Sequence, residues 1–150
     1  MGYIEANLLA GERVIHRATL HKVIFVWPTI LFLMACVTVA GSGAAAAFFF
    51  LLAAVTTAYS YIRYKASEFG VTNKRVLAKV GLISRRSIEI LLTKVEGIGV
   101  NQGIMGRILG YGTIVITGTG GTKEPFSLIA APFDFRKRVQ EQIAVAQNAK

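Results

Sequence analysis

From Val23 to Ile62 the chain carries no Asp, Glu, Lys, Arg or His, and no other feature limits its fold as strongly. A hydrocarbon core about 30 Å thick needs about 20 helical residues at about 1.5 Å each. Residues 23–40 (VIFVWPTILFLMACVTVA) and 44–62 (AAAAFFFLLAAVTTAYSYI) each come close to that length. One helix over the whole run would reach about 60 Å, far beyond the thickness available. Gly41-Ser42-Gly43 therefore reads as the tip of a hairpin, because two glycines around a serine let the chain reverse tightly where it meets water.

Trp27 lies near the start of the first span, and Tyr59, Tyr61 and Tyr64 near the end of the second. Amphipathic rings favour the headgroup layer, so both ends mark one interface. Arg13, Arg17 and Lys22 precede the hairpin and Arg63 and Lys65 follow it, while the tip has no charge. The positive-inside bias then puts both termini in the cytoplasm of a multi-pass membrane protein. Thr38-Val39-Ala40 vaguely resembles a signal-peptide cleavage site, but Glu5 and Glu12 in the leader and the long apolar run argue against a secretory signal. Pro28 is early enough in its helix for a mild kink at most. Gly43, Ala47, Ala54 and Ala58 include helical i, i+4 pairs that permit close helix approach, within the hairpin or between copies, and a homo-oligomer is expected. The spans lack the ionisable side chains that pumps and transporters require. Cys36 is the single cysteine, so no intramolecular disulfide forms, and it reads as a small core residue.

After Arg63 the pattern becomes alternating and turn residues recur at short spacing. Phe69–Thr72, a turn at Asn73-Lys74 and Arg75–Val80 read as a hairpin; Gly81-Leu82 turns into Ile83–Leu91. Val95–Val100, Gly112–Thr119 and Glu124–Ala130 supply further strands, with Gly118-Thr119-Gly120-Gly121 a flexible turn. The glycine-punctuated stretch from Gly103 to Gly110 allows a short helical turn. Pro132 opens a last helix, with Asp134 near its positive end and Phe135, Val139 and Ile143 as an apolar stripe. The expected class is α+β: a two-span transmembrane helical hairpin, then a small, strongly bent sheet or barrel capped by a C-terminal helix. Its parts are a cytoplasmic leader (1–22), the hairpin (23–62) and a sheet domain (66–150).

Val71-Thr72-Asn73-Lys74-Arg75-Val76, the following Gly81, and the glycine series from Gln102 to Gly112 ending in a strand resemble the bacterial pleckstrin-homology-like (PH-like) domain of the YdbS-like membrane proteins. Leu8-Leu9-Ala10-Gly11-Glu12 resembles the segment that precedes the spans in that family. The resemblance covers nearly the whole chain. It implies a PH-like fold of seven strands in two bent sheets capped by the C-terminal helix, and it implies no reaction.

No catalytic constellation accompanies it. Gly110-Tyr111-Gly112 and Gly118–Gly121 lack dinucleotide or P-loop spacing, and no Ser, Cys or Thr sits in a nucleophile motif. His16 and His21 are spaced for neither one helix face nor one strand face, so no metal site and no cofactor are expected. From Arg63 onward there are 14 Lys plus Arg against 6 Asp plus Glu, which is +8 of the chain's net +9. Beside a cytoplasmic leaflet such charge favours anionic lipid, at about 1 kcal/mol per basic side chain near the surface. The residues assigned to that contact are Lys22, Arg63, Lys65, Lys74, Arg75, Arg85 and Arg86, whereas Arg136-Lys137-Arg138 reads as a solvated helix face. Nucleic acid is not expected, for want of a stacking platform or a recognition helix. The expected function is a non-enzymatic module for protein interaction or self-assembly at the inner membrane, with an unknown membrane or cytoplasmic protein as partner. The alternatives are an anionic-headgroup sensor and an accessory subunit of a membrane enzyme or transport complex.

Overall fold

The computed structural model describes residues 3–81 and 86–148, and of Arg86 the backbone alone. In chain order the elements are α1 (Tyr3–Ala6), β1 (Val14–Ala18), α2 (Val26–Thr38), α3 (Gly43–Ala66), β2 (Glu68–Thr72), β3 (Arg75–Val80), β4 (Arg86–Leu91), β5 (Val95–Asn101), α4 (Ile104–Leu109), β6 (Tyr111–Gly118), β7 (Lys123–Ala130) and α5 (Pro132–Asn148). The chain divides into two compact units, one formed by the residues before Lys22 together with those after Lys65, the other by Lys22–Lys65. The sheet domain expected over 66–150 is therefore incomplete without the leader: β1 comes from residues ahead of the apolar run and pairs antiparallel with β2, Ala18 opposite Phe69. The physical reason is edge pairing. β2 alone would present an open row of backbone donors and acceptors, and the leader supplies the matching strand.

In the helical unit, a 3-10 turn (Lys22–Phe25) leads into α2, and Pro28 falls in the first turn of α2, where no intrahelical N–H bond is lost. The chain reverses at residues 39–42. Thr38 O accepts the N–H groups of Gly41 (3.1 Å) and Ser42 (3.0 Å), and Ser42 Oγ accepts the N–H of Ala45 (3.4 Å) at the start of α3. Phe32 against Phe50 (5.7 Å) and Phe25 against Tyr64 (5.7 Å) show the two helices lying antiparallel. The buried residues are Ala46, Ala53 and Ser60 from α3 with Pro28 and Ala35 from α2. Gly43, Ala47, Ala54 and Ala58, expected to make a close approach, are exposed. α3 is long and apolar enough to cross a bilayer, whereas the apolar helix over Lys22–Thr38 is shorter than the span expected over 23–40.

In the sheet unit, β1-β2-β3-β4 form one antiparallel sheet and β5-β6-β7 another. The strands expected from the alternating pattern occur within a residue or two of their expected bounds, except that of Ile83–Leu91 only β4 lies within the described residues. The sheets face each other through Phe69 and Phe126, whose rings meet edge-on at 5.7 Å. Val71, Leu77, Ile114 and Ile129 are fully buried between or beneath them. β6 alternates as a strand with one core face does, but β2 and β3 are buried on both faces. The leader covers their second face: Ile4 of α1 lies on Gly70, where a Cβ would stand 2.7 Å from Ile4 Cδ1. α5 begins at Pro132, buries Phe135 and Val139, and packs on β1, β2, β5 and β6. It closes one side of the sandwich, and Ile143 completes its stripe at partial exposure.

Candidate functional site

The basic residues assigned to a lipid contact divide between the two units, and in the sheet unit Arg75 is not a surface charge. Arg75 is only 8% exposed and points into the leader. Its Nε donates to Glu12 Oε1 (2.9 Å) and its Nη2 to Glu12 Oε2 (3.0 Å), a bidentate pair in which the Glu12 side chain is fully buried. Nη2 also donates to Asn7 O (2.6 Å), and Nη1 pairs with Glu89 of β4. Burial alone would raise the Glu12 carboxyl. The hydrogen bonds from Arg75, the Leu9 N–H and the Thr72 hydroxyl outweigh it and hold the group below the ordinary carboxylate value. The bond to Glu12 in turn raises Arg75 above its ordinary value. Arg75 is thus occupied as a structural cation and is not available to a headgroup.

Lys74 is exposed, but its ammonium donates to Ala10 O at 2.8 Å, another tie to the leader. Asn73 completes the set: its side chain accepts from the Arg13 N–H (2.9 Å) and donates to Gly11 O (3.2 Å). The Thr72 hydroxyl donates to Glu12 Oε1 at 2.7 Å. Two of the segments quoted for the family resemblance, Leu8–Glu12 and Val71–Val76, are therefore each other's binding partners. Lys22, Arg63 and Lys65 belong to the helical unit, with Arg63 and Lys65 in the last turn of α3, where cations offset the helix dipole. The side chain of Arg86 and all of Arg85 lie outside the described residues. His16 and His21 do not converge: one ring meets Phe135 at 6.2 Å and the other meets Tyr111 at 5.4 Å.

What the strand pattern did not reveal is a groove between β4 and the β6–β7 turn. Among the described residues β4 has a paired neighbour on one side only. Beside it an open cleft of about 350 Å³ runs from Ile88, Ile90 and Leu91 to Lys94, Thr119 and Thr122. The far wall is the β6–β7 turn, tied down by the Thr119 N–H to Lys94 O (2.9 Å) and reversed by Gly120 and Gly121 at φ of 96° and 77°. Glu89 and Glu124 also line this cleft. Among the described residues, a strand edge open on one side beside a cleft of mixed apolar and charged lining is chemically suited to accept an extended peptide, with backbone bonds supplying affinity and alternate side chains entering the cleft.

The groove lies at a definite end of the unit. The chain leaves for the helical unit at His21, whose N–H is held by Leu128 O (2.7 Å), while Leu20 bridges Ile129. Leu128, at φ 61°, stands where the β6–β7 register shifts, and this left-handed turn aims its carbonyl at His21. That is the Tyr111/Ala130 end of the second sheet, and the groove is at the Gly118/Lys123 end. Seven residue steps along β6 at about 3.3 Å each separate the two by about 23 Å.

No curated protein and no solved structure matches the chain. A family model described as Bacterial PH domain matches residues 22–146, which takes in both the apolar helices and β2 to α5. That match, with two antiparallel sheets closed by a C-terminal helix, establishes that the chain belongs to the bacterial PH domain family.

Proposed function

We propose that this protein is a non-enzymatic interaction module anchored in the bacterial inner membrane. Its helical hairpin crosses the bilayer twice with both termini in the cytoplasm, and its PH-like domain receives an extended protein segment, from a partner or another copy, along β4. The length of α3, 24 residues or about 36 Å, supports the crossing. α2 with its preceding 3-10 turn adds a second apolar rod of about 28 Å. The apolar side chains of these helices also face outward: only 17% of the most apolar window of α3 is buried, the reverse of a core helix in a soluble domain. Lys22, Arg63 and Lys65 then meet the anionic leaflet.

The observation that carries the protein-binding reading is the groove beside β4, placed at the end of the domain away from its connection to the helices. A strand edge beside a cleft matches an extended polypeptide, whose backbone can pair along β4 while its side chains enter the cleft. A photo-crosslinking side chain placed at Leu91 or Thr119 of the full chain, activated in native membranes, is expected to yield discrete protein adducts. The same side chain at Lys137 on α5 serves as the background control. Adducts at Leu91 and Thr119 no stronger than at Lys137 would remove the basis of the proposal. Cysteine labelling at Ser42→Cys from outside the cell tests the topology separately.

A further inference from the structure

Large apolar side chains cluster in the open at the other end of the sheet unit. On α4, Ile104 is 82% exposed and Ile108 71%, with Met105 and Leu109 beside them; Phe133, at the start of α5, is also exposed. Single exposed apolar residues are ordinary, but a helix that shows all its large ones is not. The local packing explains how they come to point outward. α4 rests on the sheet through Gly106, where a Cβ would stand 2.5 Å from Tyr111 O. The Gln102 amide donates to both Gly106 O (2.9 Å) and Tyr111 O (3.1 Å), pinning that face down. Only the opposite face is left for bulk. Phe133 joins it because the Ala131 N–H donates to Gly110 O (3.0 Å), which brings the start of α5 to the end of α4.

The position of this patch says what covers it. Tyr111, next after the left-handed cap Gly110, has its ring 5.4 Å from that of His21. His21 directly precedes Lys22, and the charge-free run starts at Val23. The return strand enters at the same place, since Phe69 is the register partner of Ala18. Consecutive Cα atoms are about 3.8 Å apart, so if the hairpin lies in the bilayer, His21 cannot be more than a few ångströms from its surface. The geometry points to α4 as a second membrane contact. Ile104, Met105, Ile108, Leu109 and Phe133 seat at the boundary of headgroups and acyl chains of the cytoplasmic leaflet, and Arg107 extends its charge to the phosphates. A helix of this length would bind lipid poorly by itself. Tethered by the hairpin, it does so at the high effective concentration of an intramolecular contact. The domain is then held at two points, with the groove beside β4 turned to the cytoplasm. This inference rests on the membrane-spanning reading above and deepens it.

The test uses the full chain with Cys36→Ala, reconstituted in vesicles of phosphatidylethanolamine and phosphatidylglycerol. A nitroxide is attached at Ile104→Cys, Ile108→Cys, Thr119→Cys or Val55→Cys, all at exposed positions. Collision with oxygen, which concentrates in lipid, is compared with collision with a water-soluble nickel chelate. Labels at 104 and 108 are expected to favour oxygen, as the label at 55 on α3 does, while 119 favours the chelate. Chelate-dominated signals at 104 and 108 with an oxygen-dominated signal at 55 would overturn the contact and leave the anchor standing. Spin coupling between copies at 108, with shielding from both reagents, would also overturn it, because a second protein copy would then cover the patch. A chelate-dominated signal at 55 would overturn the membrane-spanning reading itself and this inference with it.

Discussion

Glu12 and Arg75 lie 63 positions apart, on either side of the helical hairpin in sequence, and form a bidentate buried ion pair. The pair closes the sheet unit across the insertion. It binds the leader to β3, lets Nη1 reach Glu89 on β4, and leaves the Thr72 hydroxyl and the Leu9 N–H to satisfy the remaining capacity of the carboxylate.

Breaking the pair from one side leaves a buried charge without its partner, which typically costs about 3–5 kcal/mol. Arg75→Met is therefore expected to lower the thermal midpoint of the full chain in mild detergent markedly. Arg75→Met with Glu12→Leu, which removes both charges, is expected to recover much of the loss. Near-ultraviolet circular dichroism would read both. Equal stability of Arg75→Met and the unaltered chain would show that the pair contributes nothing.

The same pair sets a dependence on pH. A carboxyl held below its ordinary value binds fewer protons in the folded state than in the unfolded state. Its stabilisation is complete above the ordinary value of 4.5 and is lost as pH falls through the lower folded value. Melting curves of the full chain should therefore lose stability on acidification through that range, and Glu12→Gln should flatten the slope there. An unchanged slope would assign the acid sensitivity to other carboxylates.

Because β1 and Glu12 precede the hairpin, residues 66–150 expressed alone are expected to be aggregated. They lack the strand that pairs β2, the Ile4 side chain over Gly70, and the buried Leu20. Joining residues 1–21 to 66–150 through about six Gly and Ser residues should give a soluble domain, since paired antiparallel Cα atoms lie only about 5 Å apart. Size-exclusion chromatography and dispersed amide proton spectra would check both. A folded 66–150 fragment would show that the leader strand is dispensable.

Gly103 and Gly106 bracket the start of α4 but differ in what surrounds them. A Cβ at Gly103 meets nothing within 4 Å, and the backbone there is extended at φ −71°. At Gly106 it would collide with the Tyr111 carbonyl. Gly103→Ala is expected to be nearly neutral, and Gly106→Ala to destabilise by about 1–3 kcal/mol, as overpacking against fixed backbone does. Chemical denaturation of the full chain in detergent would measure the difference.

Much of this architecture is legible in local pattern. A charge-free run with one glycine-serine-glycine interruption gives two apolar helices and a reversal between them, because length and glycine entropy act on near neighbours. Alternation places β5, β6 and β7, and Pro132 at the first position of α5 sets that helix's start. The misses have a common character. Arg75 reads as a lipid-contacting cation and Glu12 as a leader charge, since neither residue's neighbours in sequence signal that the other will neutralise it. Of the two uses expected for Gly43, Ala47, Ala54 and Ala58, packing within the hairpin falls instead to Ala46 and Ala53, because small side chains on every face of α3 give no amphipathic signal. The groove and the α4 patch were not legible either, for an apolar residue in a short element looks the same whether it turns in or out.

The sequence by itself determined that an apolar helical pair interrupts a basic, strand-rich chain, and that the bacterial PH domain pattern runs through most of it. Hydrophobic periodicity and backbone preference are local and need no partner to be expressed. Only the tertiary structure decided that the leader is the first strand of the domain, that Arg75 is buried against it, and that one end of the sheets carries an exposed apolar helix while the other opens a groove. These outcomes depend on which distant segments meet, and burial is a property of that meeting rather than of any residue alone.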